Sequence, residues 1–275
     1  VVQRSTGDAI LSTHSDYMEY TGHISTSAAP TYFDNQFGAN PRNIFTTNTG
    51  VTHFFSRAPG FYDVVTWTGE STSTTSAYTK PHNLEAVPEL MIVKRRSGSF
   101  YLGRNWYVYT DSLGTASYLK LDQGVPATSG SPWTSAPTAS NFSVGHYINL
   151  SGLTYVAMLF ASLPGICKVG TYTASSSLTE QIIDCGFTNG ARFVMLKDSS
   201  SSSTSSYVPH FYVNTAAQGI TTGSDLTDLW NYTTEESNSN NVKPHSSGFI
   251  ATRSGSTDSS SEISSGATVQ FLAIA

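Results

Sequence analysis

Apolar residues in this chain come in short runs, and the spacing inside each run is that of strands. Phe61 to Thr68 and Leu90 to Lys94 are β-branched or aromatic stretches bounded by Gly, Pro, Ser and Asn. Val269 to Ala275 is apolar at nearly every position, the pattern of a central strand buried on both faces. Between the runs lie Ser-rich tracts at 71–76, 199–206 and 254–261, which predict loops. A Ser-Asp start near Ser224 allows a short helix up to Trp230, but the strand-like character of that region favours a turn. The predicted class is all-β, with little or no helix.

The runs also repeat. Pro59-Gly60-Phe61-Tyr62 and the residues to Thr68 return as Pro164-Gly165-Ile166-Cys167 and the residues to Thr173. Glu89 to Lys94 returns as Arg192 to Lys197, Trp106-Tyr107-Val108 as Phe211-Tyr212-Val213, and Gly152 to Ala161 as Gly266 to Ala275. Four blocks in one order define a duplicated unit of roughly 105 residues, a normal size for a β-sandwich. The expected organisation is therefore tandem, jelly-roll-like sandwiches over 59–163 and 164–275, preceded by residues 1–58. Two readings stand for that N-terminal stretch: the back half of a third unit, or an arm of unrelated origin.

Composition narrows the function classes. Charged residues are only 12% of the 275, about half the usual share, and the net charge is −5. Neither fact suits a nucleic-acid-binding face. The longest apolar stretch, Tyr155 to Cys167, is broken by Ser162 and Pro164 and falls short of a membrane-spanning helix. Aromatic residues at 12% recur along nearly the whole chain, which argues for a folded protein.

Chemistry-bearing motifs are sparse. The sequence has no Gly-rich phosphate loop, no Gly-x-Ser-x-Gly elbow and no His-Glu-x-x-His. Its seven His residues lack metal-ligand spacing, so no metal or other cofactor is expected. Asp63, Glu70, Asp111, Asp122 and Asp184 are the acids from which a glycosidase pair would be drawn, but Asp63 is matched by Lys168 in the second unit. No acidic pair recurs, and no catalytic residue is assigned. Lys94-Arg95-Arg96 is the only basic run and reads as a solvated strand end. Cys167 and Cys185 lie on the first strand of unit two and just before its second; they are within reach of a disulfide if those strands adjoin, and otherwise serve as small apolar fillers. Binding is better served by aromatic rings, which stack on sugar faces, beside hydroxyl and amide groups. Tyr78, Tyr118 and Trp133, in loops or at strand ends, are the candidate receptor-binding residues.

The strings HNLEAVPELMIVKRRSGS at 82–99, DCGFTNGARFVML at 184–196 and FLAIA at 271–275 resemble a domain of phage tail-fibre-like and other virion proteins, notably of marine and cyanobacterial phages. The similarity runs from Pro59 to Ala275; Glu85 stands where that family's pattern has Gly. The resemblance implies a non-enzymatic structural protein on the virion surface, in a tail fibre or another external appendage. It also implies copies of the same chain, trimers by preference, other virion proteins and a host surface glycan or protein as partners. A decoration protein of capsid or tail that reads no receptor is the first alternative, and a polysaccharide depolymerase the second.

Overall fold

The computed structural model describes residues 32–34, 38–40, 55–98, 105–200, 211–215, 228–229, 242–252 and 263–275. Among them there is no α-helix, and one 3-10 turn, His146–Ile148. Two short N-terminal strands, β1 (Tyr32–Asp34) and β2 (Gly38–Asn40), pair antiparallel. The rest of residues 1–54, and the possible helix before Trp230 except for a two-residue strand, lie outside the described residues.

The first sandwich contains β3 (Tyr62–Thr68), β4 (Tyr78–Pro81), β5 (Leu90–Arg95), β6 (Tyr107–Thr110), β7 (Ser117–Lys120), β8 (Thr128–Ser129), β9 (Asn141–Val144) and β10 (Thr154–Phe160). Its large sheet has the order β3-β10-β5-β6-β7-β8, and β4 pairs with β9 in a small one. The second contains β11 (Cys167–Thr173), β12 (Glu180–Asp184), β13 (Phe193–Asp198), β14 (Phe211–Thr215), β15 (Asp228–Leu229), β16 (Val242–His245), β17 (Gly248–Thr252) and β18 (Thr268–Ile274). Its large sheet runs β11-β18-β13-β14-β15, and its small one β12-β17-β16. In both, the first strand pairs with the last, which pairs with the third. Registers agree residue by residue: Phe160 faces Tyr62 and Leu90 as Ile274 faces Cys167 and Phe193.

Strand alternation sends side chains to two different cores on either face of each large sheet. Leu90, Ile92, Val108, Val156 and Met158 from the first sandwich meet Phe193, Met195, Val213 and Leu272 from the second in a single cluster. The alternate residues Met91, Val93, Tyr109 and Leu159 pack instead beneath the small sheet of the first sandwich, with Phe142 and Val144. Val194, Leu196, Val269 and Ala273 do the same beneath the second, with Phe249 and Ala251. The molecule is thus four sheets deep, small-large-large-small, and the large sheets share the middle core. This explains why β5, β13 and β18 read as nearly continuous apolar runs: both of their faces are covered. Phe55 helps close the middle core, edge-on to Phe160 of one sandwich and Phe193 of the other at 5.5 and 5.7 Å.

Burial on both faces corrects one expectation. Lys94 and Arg95 end a strand, but not in solvent; they are 0% and 1% exposed. Alternation points Lys94 into the middle core, where its Nζ sits 5.6 Å from the centre of the Trp106 ring. Polar links cross the same layer: Ala127 N donates to Ser199 O at 3.0 Å, and Lys197 Nζ to Gln123 O at 3.4 Å.

Candidate binding surface

One end of the first sandwich gathers tyrosines around the 3-10 turn. Its foundation is Asn149, fully buried, whose Oδ1 accepts Trp67 Nε1–H at 2.9 Å and whose carbonyl accepts Ser71 N–H at 2.7 Å. Tyr155 stacks on Trp67 at 5.3 Å, and its hydroxyl oxygen accepts Leu150 N–H at 2.9 Å. Ser71 Oγ lies 3.0 Å from His146 Nδ1 and donates to Ser73 O at 3.0 Å. With the hydroxyl proton so committed, the imidazole donates to Oγ through Nδ1–H. Gly145 lets the chain enter the turn against the next loop: a Cβ there would lie 3.1 Å from Ser131 O and 3.2 Å from Pro132 O.

This frame leaves Tyr147 42% exposed at the tip of the turn. Tyr118, half-buried on β7, packs its ring 5.2 Å from that of Tyr107. It also packs closely against Gly130, where a Cβ would fall 2.9 Å from Tyr118 Cε1. Burial raises the Tyr118 phenol above its usual pKa, and the nearby Tyr147 phenol adds to the rise. Burial raises Tyr107 too, with Tyr118, Asp122 and Tyr147 contributing. Tyr78 joins at the other side. It is half-buried on β4, and its hydroxyl donates to Glu70 O at 3.2 Å, one residue from Ser71. A polar-aromatic strip thus runs from Tyr78 through Glu70, Ser71 and His146 to Tyr147, whose ring lies 5.9 Å from that of His146, and Tyr147 is near enough to Tyr118 and Tyr107 to act on both phenols.

Two of the three candidate residues belong to that strip; the third does not. Trp133 is 1% exposed and meets Tyr109 edge-on at 5.7 Å inside the core beneath the small sheet. Its Pro-rich segment looks like a loop in sequence but runs beside β9, with Gly145 N donating to Pro132 O and Thr134 N to Ser143 Oγ. The side chain turns inward because the small sheet's core needs a large apolar group there. Tyr147 escaped sequence inspection: a single exposed tyrosine in a three-residue turn carries no periodic signal.

Other chemistry is used locally. Asp63 accepts Val64 N–H and Asn83 N–H, both at 2.8 Å, and pairs with Arg57 at 3.2 Å. Glu70 pairs with Lys80 at 3.3 Å, and Asp184 accepts Gly186 N–H at 2.9 Å in a turn. Asp122 Oδ1 accepts Trp106 N–H at 3.1 Å. Burial pushes its carboxyl up to about 6, against the opposing pull of Lys94. Among the described residues, no three His, Cys, Asp or Glu side chains converge as metal ligands. Cys167 and Cys185 are both free and both buried, but on opposite sides of the second large sheet. Cys167 faces the middle core and Cys185 the outer one, so the sheet itself keeps them from bridging.

A family described as "Domain of unknown function (DUF7483)" matches residues 27–275. The chain belongs to this family. The DUF7483 match spans both sandwiches as one stretch and begins upstream of the first. No curated protein and no solved structure matches this DUF7483 chain.

Proposed function

We propose that this protein is a non-enzymatic structural component of a phage particle's external appendage, and that it contributes to host attachment. The observation that carries the reading is the strip of Tyr78, Tyr147 and Tyr118, held at one end of a sandwich by a buried hydrogen-bond frame. Rings presented with hydroxyl, imidazole and amide neighbours suit stacking on a sugar face, and they need little charge. A stack of four sheets gives such a surface a rigid support, as a fibre or appendage requires. Individually weak contacts gain strength when several copies on one particle engage together. Of the five acids a depolymerase would draw on, Asp63, Glu70, Asp122 and Asp184 are engaged by backbone amides or by Arg57 and Lys80, and Asp111 by the Tyr109 hydroxyl. That disfavours the cleaving alternative.

The test is to image the parent particle by electron microscopy after labelling with gold-conjugated antibody to this chain. The purified chain is assayed in parallel for binding to cells that the particle adsorbs to. Gold at fibre or tail tips together with cell binding supports attachment. Gold over the head without cell binding replaces it with a decoration role.

A further inference from the structure

The two sandwiches follow one plan, so positions where their chemistry differs are informative. His82 N donates to Ser140 O and Cys185 N to Ser247 O, and Pro81 pairs with Asn141 as Asp184 pairs with Gly248. This alignment makes Thr79 and Ser143 of the first sandwich the equivalents of Ile182 and Ile250 of the second. In the small sheet β12-β17-β16, Ile183, Phe249, Ala251 and Val242 point to the core. Ile182 and Ile250 form a cross-strand pair on the opposite, outward face. Ile182 is 59% exposed, and Leu178 just before the strand is exposed as well. Where the first sandwich has an exposed Thr79 beside a buried Ser143, the second has an exposed Ile182 beside a half-buried Ile250.

Charges flank that pair in an ordered way. Glu180 and Asp184 lie on the same outward face of β12, while Lys243 and His245 lie outward on β16, with β17 between. Lys243 Nζ reaches across β17 to Glu180 Oε1 at 2.6 Å, which lays its methylene stem beside the isoleucines. Among the described residues, the edge strand β12 pairs only with β17. It carries neither Pro nor Lys, the residues that blunt an open edge; its counterpart β4 carries both Lys80 and Pro81.

We propose that this outer face joins two copies of the chain about a two-fold axis parallel to β17. A self-complementary patch is what an isologous contact requires. Rotation about that axis lays β12 of each copy over β16 of the other, which sets the acids against the donors, Ile182 against the methylene stem of Lys243, and Ile250 against its own copy. Charge placement thus favours a two-fold contact over the three-fold one that the family resemblance suggests.

Sedimentation velocity of the full chain at micromolar concentration tests the contact. The wild-type chain sediments as a dimer. Ile182→Thr, which installs the residue of the first sandwich, and Ile182→Lys weaken association by about tenfold or more, yet leave the melting temperature unchanged when it is measured at concentrations where the wild type is also monomeric, because Ile182 is mostly in solvent in the single chain. Lys243→Glu also dissociates the dimer, and the swapped pair Lys243→Glu with Glu180→Lys restores it. A wild-type chain that stays monomeric or forms trimers overturns the proposal. So do Ile182 variants that associate like the wild type, or a swapped pair that fails to restore association.

Discussion

Lys94 and Lys197 occupy the same register position in the two large sheets, and each holds its amine against an aromatic ring at the start of the neighbouring strand. The rings are Trp106 at 5.6 Å and Phe211 at 4.9 Å. Both amines point into the core that the sandwiches share. An amine there is costly to charge, and burial brings Lys197 down to about 7 from 10.5, although Asp198 pulls the other way. Lys197 therefore titrates within reach of neutral pH.

The first prediction follows from that amine. Between pH 7 and 10.5 the folded chain binds fewer protons at Lys197 than the unfolded chain does, so stability rises with pH. The slope is at most about 1.4 kcal/mol per pH unit for one proton. Cysteine titration in the unfolded chain begins to oppose it near 9, which leaves pH 7 to 9 as the clean window. Urea midpoints of the wild type are expected to rise across this window, and those of Lys197→Met to stay flatter. Asp122 acts in the opposite sense: its folded pKa lies near 6 against 3.8, so its contribution falls as pH climbs between those values, and Asp122→Asn removes that fall.

The second prediction separates Trp133 from Tyr147. Trp133→Ala empties a fully buried site beside Tyr109 and is expected to cost about 3–5 kcal/mol, read as a lower urea midpoint. Tyr147→Ala removes a ring that is largely in solvent, so stability changes by less than about 0.5 kcal/mol. Under the proposed attachment role, binding to cells is expected to reverse the ranking. Tyr147→Ala and Tyr118→Ala weaken it, about tenfold each, while a folded Trp133→Phe chain binds as the wild type does.

Those two residues also mark how far the sequence could be read. The repeated blocks land on equivalent strands with matching registers, because strand periodicity and apolar runs are local properties that survive duplication. The burial of Lys94 was not legible, because it depends on the second sandwich's large sheet covering the first, a contact between segments about 100 residues apart; Arg95, on the other face, is covered within its own sandwich. Trp133 misled for a related reason: Pro and Gly neighbours mark an irregular backbone but do not say which way its side chains turn. Tyr78 and Tyr118 could be picked by chemistry alone, whereas their connection through Ser71, His146 and Tyr147 required the fold.

The third prediction concerns the thiols. Burial pushes Cys167 up to about 12 and Cys185 to about 11 from 9, so neither forms thiolate at neutral pH in the folded chain. Ellman's reagent is expected to leave both unmodified in native buffer and to titrate two thiols in denaturant. Reducing agent should not shift the melting temperature. A shift would mean that the two faces of the second large sheet do not separate the cysteines as described.

Glu85 supplies the last prediction. It is the one non-glycine residue with positive φ among those described, at 58°, in the exposed bend between β4 and β5. A side chain in the left-handed region is strained by its Cβ, at about 1 kcal/mol, and glycine removes that strain. Glycine also adds unfolded-state entropy, which offsets part of the gain. The exposed Glu85 side chain makes no bond that would be lost, so Glu85→Gly is expected to stabilise the chain by up to about 1 kcal/mol and to raise the urea midpoint. Glu85→Ala keeps the Cβ and should leave the midpoint nearly unchanged. If the two variants behave alike, backbone conformation is not what distinguishes the position; if only the glycine variant is stabilised, the bend between β4 and β5 is a glycine turn that this sequence tolerates with glutamate.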